Sequence, residues 1–197
     1  LTPITANNSA SLFALEGNLR LVEFHSKANA LTDESMEIVA AAAADHGKGI
    51  IIHNDAQHFS AGVDLNAFRA YIEAEDWDGI DGFLDRFQKA VCALKYTPVP
   101  VVGAPSGLAA GGGYEVLAHC DRLVVHTNSV MGLVEAGVGV VPGGGGIKDT
   151  FFRWHAAKDS WEEAAWQTWM NIGYGATGSS PQLSARMMYF RDGHDET

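Results

Sequence analysis

Short apolar segments alternate with helix-like segments along the N-terminal part of the chain, and this alternation restricts the folds that it can adopt. The segment 18–24 alternates in polarity and predicts a strand, while the apolar runs within 49–54, 98–105 and 121–127 are typical of strands buried on both faces. Thr32 as an N-cap and the apolar spacing in 77–96 predict two intervening helices. The pattern therefore predicts an α/β domain with a largely parallel sheet.

Size and charge narrow the class of protein. With 197 residues, of which 47% are hydrophobic, the chain can bury one sizeable core. A formal net charge of −11 argues against a nucleic-acid partner, and the absence of an apolar run of about 18 residues argues against a membrane span. Two cysteines, Cys92 and Cys120, do not make a disulfide framework, so we expect a reducing, cytoplasmic setting. The missing initiator Met indicates a segment of a longer or trimmed chain.

The region after residue 150 differs in composition from the rest. It is rich in aromatic residues, contains every tryptophan except Trp77, and is predicted to be helical with a loop at 173–181. We therefore expect one domain, with its core in 1–150 and a helical C-terminal region in 151–197. These helices would either cover the core or pack against other subunits.

Three consecutive glycines, Gly111, Gly112 and Gly113, run directly into a predicted helix. Glycine permits close approach of the backbone, and the first turn of a helix leaves N–H groups free at its positive end. Such a site binds a phosphate or stabilises an oxyanion. Neither this segment nor "PGGGGIKD" at 142–149 matches a dinucleotide fingerprint or a Walker loop. The alternative is that the glycines only allow tight packing of a strand against a helix.

A second glycine-containing loop, "FSAGVDL" at 59–65, follows the predicted strand 49–54, as the three glycines follow the predicted strand 98–105. Loops that follow parallel strands open at the same edge of a sheet, where ligands bind. Each loop can therefore offer one backbone N–H to the same oxygen atom, which is the arrangement of an oxyanion hole.

Two glutamates accompany these loops. Glu115 lies about one helical turn after the glycines, and Glu135 lies in an apolar, glycine-rich stretch where burial is expected to shift its pKa. Two carboxylates suit addition or elimination of water next to a carbonyl, because one activates the water and the other moves a proton at the neighbouring carbon. A structural role for Glu135 is the alternative. His53, His58 and His126 lack the spacing of metal ligands, so no metal is expected.

The segments "FSAGVDL", "GLAAGGGYEV" and "MGLVEAGVGVVPGGGG" resemble the motifs of the enoyl-CoA hydratase/isomerase (crotonase) family, in the family's order. The two glutamates keep the family's separation of twenty residues, and "KANAL" at 27–31 is similar to its coenzyme A loop. The resemblance covers residues 18 to 150. It implies an α/β fold in which ββα units form a spiral, with a crotonase-like hydratase core in 1–150 and a C-terminal helical region in 151–197.

The resemblance also implies roles for individual residues. Glu115 and Glu135 would be the catalytic glutamates, with Glu115 mainly activating water and Glu135 mainly delivering the proton. The backbone N–H groups of Val63 and Gly112 would form the oxyanion hole for the thioester carbonyl. No cofactor is implied except coenzyme A as part of the substrate, and the backbone positions that would bind it are Ala28, Ala61, Asp64 and Leu65.

The implied activity is that of an enoyl-CoA hydratase in fatty-acid β-oxidation, because other branches of the family commonly lack one of the two glutamates. The alternatives are an enoyl-CoA isomerase or acyl-CoA hydrolase of the same fold, and a non-catalytic acyl-CoA-binding module. A narrower resemblance is to the hydratase segment of proteins that also carry a 3-hydroxyacyl-CoA dehydrogenase. The partners implied are an acyl-CoA substrate and either further copies of the chain, as in a trimer, or an attached dehydrogenase domain.

Overall fold

The chain forms nine strands and seven α-helices in the computed structural model, which describes residues 1–197. The strands are β1 (Pro3–Ala6), β2 (Ala10–Leu15), β3 (Leu19–Phe24), β4 (Ile50–Ile52), β5 (Val101–Gly103), β6 (Leu108–Ala110), β7 (Arg122–Leu123), β8 (Val130–Gly132) and β9 (Thr177–Gly178). The helices are α1 (Asp33–Ala44), α2 (Leu65–Glu73), α3 (Trp77–Lys95), α4 (Gly112–Ala118), α5 (Gly146–Lys158), α6 (Trp161–Gly173) and α7 (Pro181–Ala185).

The strands are divided between two sheets. The larger has the order β1-β2-β3-β4-β5-β7, antiparallel from β1 to β3 and parallel from β3 to β7. Its register places Ile51 between Leu21 and Val102. In the smaller sheet β8 pairs in parallel with β6 and antiparallel with β9. The four predicted strands are therefore present, each at or within its predicted range, as β3, β4, β5 and β7.

Two features differ from the sequence prediction. The sheet is less parallel than expected, because the N-terminal segment adds the antiparallel strands β1 and β2. The three glycines follow β6 and not the strand at 98–105, because the chain leaves β5 and enters the second sheet before the glycines begin. β4, β5 and β7 are equally short but lie within longer apolar runs, whereas the strands of the second sheet lie among glycines and small polar residues and so gave no such signal.

Local hydrogen bonds fix the starts of the two helices that the sequence predicts. The Thr32 hydroxyl accepts from the Ser35 N–H and the Ser35 hydroxyl accepts from the Thr32 N–H, each at 3.2 Å, so that α1 begins in a capping box. Asp76 caps α3 by accepting from the Gly79 N–H at 2.9 Å. The helix predicted over 77–96 is thus confirmed to within one residue.

The region beyond residue 150 shares the core of the rest of the chain. Ile172, Tyr189 and Phe190 belong to the same cluster of buried apolar side chains as the strands of the large sheet. Residue 150 itself lies inside α5, so no linker marks the predicted boundary. No helix combines the length and the apolar character that crossing a membrane requires.

A buried asparagine ties the end of β3 to the loop that carries the first motif. The Asn54 side chain accepts from the Phe24 N–H at 2.7 Å and donates to the Phe59 carbonyl. We predict that Asn54→Ala lowers the free energy of unfolding by about 2–4 kcal/mol, because it leaves two buried backbone groups without partners. Urea denaturation measures this loss, and the exposed Asn8→Ala serves as the control, with an expected change below about 0.5 kcal/mol. Equal stabilities of the two variants would contradict the prediction.

Candidate active site

Two loops from different parts of the chain meet at the beginning of α4. Ser60 pairs with β6, since its N–H donates to the Leu108 carbonyl at 2.9 Å and its carbonyl accepts from the Ala110 N–H at 3.1 Å. This pairing brings Val63 beside Gly112. A methyl group placed on Gly112 would come within 2.7 Å of Cγ2 of Val63 and 3.5 Å of its backbone nitrogen, so only glycine fits here.

The backbone N–H groups of Val63 and Gly112 donate to no other group of the protein. Their neighbours are held firmly, because the Gly111 N–H donates to the Gly132 carbonyl at 2.9 Å and the Asp64 N–H donates to the Leu31 carbonyl at 2.9 Å. Gly111 has φ +52°, a conformation that favours glycine. Two free N–H groups on adjoining, fixed loops are the components from which an oxyanion hole is made.

The Glu115 carboxyl group is buried close to these donors. The side chain lies in the first turn of α4 and the residue is only 2% exposed. Its Oε1 accepts from the N–H groups of Gly144 and Gly146, both at 2.8 Å. Burial raises the pKa of Glu115 to about 7; the two N–H groups oppose this rise, and the nearby charges of Glu135 and Asp149 add to it.

Glu135 begins a short 3-10 turn after β8, and its side chain lies next to Gly111, the first of the three glycines before α4. A methyl group on Gly111 would lie 3.1 Å from Oε1 of Glu135. Its Oε2 is buried and has no hydrogen-bond partner in the protein, and burial raises the pKa of this carboxyl group as well. Burial therefore raises the pKa of both carboxyl groups, as is common for groups that act as acids or bases in enzymes.

The loop around residue 28 packs against the first motif. The Ala28 carbonyl accepts from the Ala61 N–H at 3.2 Å, and the Leu31 N–H donates to the Gly62 carbonyl at 2.8 Å. Asp64 caps α2 by accepting from the Asn66 N–H at 2.9 Å, while Leu65 is 53% exposed. The structure thus brings Ala28 and Ala61 together and places Asp64 and Leu65 directly after them. Their binding of a ligand stays a prediction.

Sequence reasoning missed the donors to Glu115. Gly144 and Gly146 belong to the glycine run that ends the third family motif, and its position directly before a helix is the signal that could have identified them as donors. Phe87 was also missed as a neighbour of this site; a methyl group on Gly112 would come within 3.5 Å of its ring. A cavity of about 800 Å³ lies between α3, α5 and α6 and is lined by Gly143, Gly144 and Gly145 but by neither glutamate.

Comparisons with known proteins identify the family. A family model described as enoyl-CoA hydratase/isomerase matches residues 16–155, which confirms the resemblance predicted from the motifs. A probable 3-hydroxyacyl-CoA dehydrogenase of Bacillus subtilis is 31% identical over 192 residues, which are 96% of this chain and 24% of that protein. A putative fatty acid oxidation complex trifunctional enzyme of Rickettsia felis is 33% identical over 153 residues, which are 76% of this chain and 21% of that protein.

Solved structures confirm the predicted crotonase-like fold. An enoyl-CoA hydratase from Bacillus anthracis superimposes with a TM-score of 0.78, at 18% identity, over 96% of this chain and 70% of that one. At this level of identity the likeness shows the fold alone. Among the curated relatives, this chain spans only about a quarter of the length of the two named above.

Burial of Glu115 makes stability depend on pH. Its pKa is about 7 in the folded protein and near 4.5 when unfolded. The free energy of unfolding is therefore highest below pH 4.5, where Glu115 is protonated in both states, and it falls as the pH rises towards 7. We predict that Glu115→Gln, which keeps an oxygen acceptor for both glycine N–H groups, stabilises the protein at pH 8 by roughly 2–3 kcal/mol more than at pH 4.5. Chemical denaturation of both proteins at the two pH values measures the difference, and a pH-independent difference would show that Glu115 titrates normally.

Proposed function

The chain belongs to the enoyl-CoA hydratase/isomerase family, and from this premise we propose that it adds water across the double bond of a 2-enoyl-CoA thioester. The observation that carries the proposal is that two free backbone N–H groups, in Val63 and Gly112, lie on adjoining glycine-containing segments. One of these segments carries the buried carboxyl group of Glu115 and lies next to the partly buried one of Glu135. The donors suit an oxygen on which negative charge develops, and the carboxyl groups suit proton transfer beside it.

The N–H groups of Val63 and Gly112 would both donate to the carbonyl oxygen of the thioester. Attack of water at the β carbon moves electrons from the double bond towards that oxygen, giving an enolate. Each donor to such an oxyanion contributes roughly 10²–10³ to the rate. The surrounding backbone hydrogen bonds hold the two loops in place, so little reorganisation is needed when the charge appears.

The two glutamates would divide the proton transfers. Glu115 in its ionised form takes a proton from the attacking water, whose oxygen bonds to the β carbon. Glu135 in its protonated form gives a proton to the α carbon, so that the double bond becomes a single bond and a 3-hydroxyacyl thioester is formed. One proton then passes from Glu115 back to Glu135, directly or through solvent, and the site is ready again. Each positioned carboxyl group contributes roughly 10²–10⁴ to the rate.

The coenzyme A part of the substrate would be held at Ala28, Ala61, Asp64 and Leu65, at the rim where the two loops pack together. The N–H groups of Ala61 and Asp64 donate to the carbonyls of Ala28 and Leu31, so the N–H groups left free for the substrate are those of Ala28 and Leu65. Backbone donors suit a chain with a net charge of −11, because they bind phosphate and amide groups without a basic surface. No further cofactor enters this proposal.

The names of two relatives support a place in fatty-acid β-oxidation, beside a dehydrogenase. One is described as a probable 3-hydroxyacyl-CoA dehydrogenase and the other as a putative trifunctional enzyme of fatty acid oxidation. The 3-hydroxyacyl thioester made by a hydratase is the substrate class of such a dehydrogenase. We therefore propose an attached dehydrogenase domain as the partner in preference to further copies of this chain.

The presence of both glutamates favours a hydratase over an isomerase or a hydrolase of the same fold. We predict that the protein hydrates crotonyl-CoA and that Glu115→Gln and Glu135→Gln each lower kcat by roughly 10²–10⁴. Because Glu115 must be ionised, kcat should rise as the pH passes through about 7. Loss of the enoyl-thioester absorbance measures the rate, and chromatography of the product separates 3-hydroxyacyl-CoA from a shifted double bond or free coenzyme A. Thioester binding without turnover would overturn the proposal in favour of a binding module.

The oxyanion hole can be tested through the backbone of Val63. Val63→Pro removes an N–H that has no partner in the protein, so no internal hydrogen bond is lost. We predict a fall in kcat of roughly 10²–10³, because the thioester oxygen loses one donor. Val63→Ala keeps the N–H and serves as the matched control, with kcat within about threefold of the wild type. A similar loss in both variants would indicate that the side chain and not the N–H is what matters.

A further inference from the structure

His119 is buried directly behind Glu115 and takes no part in the chemistry proposed above. It lies at the C-terminal end of α4, one turn after the glutamate, and is 2% exposed. Its Nδ1 lies 2.7 Å from the Glu115 carbonyl oxygen. Because a carbonyl only accepts, Nδ1 carries a proton and donates it. Burial lowers the pKa of His119, so the ring is neutral near neutral pH.

The other edge of the ring packs against the glycine turn that binds Glu115. A methyl group placed on Gly145 would lie 2.8 Å from Cε1 and 3.0 Å from Nε2 of His119. Gly145 is the middle residue of this turn and has φ +104°. Gly144 and Gly146, on either side of it, each donate an N–H to Oε1 of Glu115 at 2.8 Å. The imidazole of His119 therefore packs against the same glycine turn whose two N–H groups bind the Glu115 carboxyl group.

Charged groups of α5 lie against the other ring nitrogen. With the proton on Nδ1, Nε2 of His119 is an acceptor, and Nζ of Lys148 lies 3.4 Å from it and can donate. Oδ2 of Asp149 lies 3.3 Å from Nε2 with no hydrogen bond between them, since both only accept. Asp149 is buried and is paired with Lys95 on α3. Although burial opposes it, the hydrogen bond from Lys95 keeps the pKa of Asp149 below its ordinary value, so Asp149 is ionised. The network joins α3, α4 and α5 at the point where α5 begins with the glycine turn.

We propose that His119 is a positioning residue, which holds the turn of Gly144, Gly145 and Gly146 where its two N–H groups bind Glu115. Lys148 acts through His119, because its ammonium group can donate to Nε2 and lies 3.4 Å from Oδ2 of Asp149. The inference rests on the proposed function for its effect on catalysis, but its structural part concerns Glu115 alone. The groups whose charges face Glu115 are Glu135 and Asp149, and the neutral ring of His119 adds none, so its effect comes from geometry.

The test compares His119→Ala with Cys120→Ala, a matched control at the next, equally buried position, which does not touch the glycine turn. A ¹³C NMR titration follows the Glu115 carboxyl group, whose signal is identified by its absence in Glu115→Gln. In the wild type it titrates near pH 7. In His119→Ala we expect the apparent pKa to rise by about one unit, because the ionised carboxylate loses a well-placed N–H donor. Cys120→Ala should leave it unchanged.

Kinetics supply the second readout. In His119→Ala, kcat for crotonyl-CoA should fall by roughly tenfold to a hundredfold while KM stays within about twofold, and the acidic limb of the pH profile should move with the pKa of Glu115. If His119→Ala does not fold, His119→Asn replaces it, since an Asn amide can keep the bond to the Glu115 carbonyl and lose the contact with Gly145. An unchanged Glu115 titration in either folded variant overturns the inference. A shifted titration in a protein that hydrates no enoyl thioester upholds it and rejects the proposed function instead.

Discussion

The burial of the Glu115 carboxyl group is the interaction on which the rest of the site depends. A carboxylate removed from water is strongly destabilised unless donors replace the lost hydration, and here two backbone N–H groups, of Gly144 and Gly146, do so. They replace it only in part, because the pKa remains raised to about 7. The protein therefore gives up stability at neutral pH to keep a base whose pKa matches the pH at which it would work.

This constraint explains why glycines occur where they do. A methyl group on Gly146 would lie 3.1 Å from Oε1 of Glu115, and one on Gly113 would lie 2.6 Å from Cβ of Ser60. The backbone must approach both the carboxylate and the neighbouring loop closely, and any side chain would separate them. The pairing of the short strands β6 and β8 also fixes the glycine backbone. The Gly132 carbonyl at the end of β8 accepts the Gly111 N–H, and the Gly112 N–H is left free.

The sequence predicted what local patterns encode and missed what only tertiary structure creates. The helices over 33–44 and 77–95 follow from caps and apolar spacing, and the two glutamates and two loops follow from motifs. No strand pattern was recognised in the segment of β1 and β2, and the strands of the second sheet lie among glycines and small polar residues, outside the apolar runs that marked β4, β5 and β7. The bonds from Gly144 and Gly146 to Glu115 span 29 and 31 residues, and no spacing rule connects such positions. No sequence pattern marks His119, whose contacts with Gly145 and Asp149 form only in the folded chain.

The two carboxyl groups differ most in their hydrogen bonds, and this difference supports their division of labour. Glu115 is the more deeply buried, yet Oε1 holds two N–H donors, which stabilise the charged form. Oε2 of Glu135 is buried without a partner, and only the backbone N–H groups of Glu135 itself and of Val134 oppose the rise that burial causes in its pKa. A thioester lying across the site would exclude water from both groups. The pKa of Glu135 would then rise further, while that of Glu115 would be restrained by its donors. The charge of Glu135 raises the pKa of Glu115, so a Glu135 that becomes protonated when substrate binds would favour an ionised Glu115 beside it.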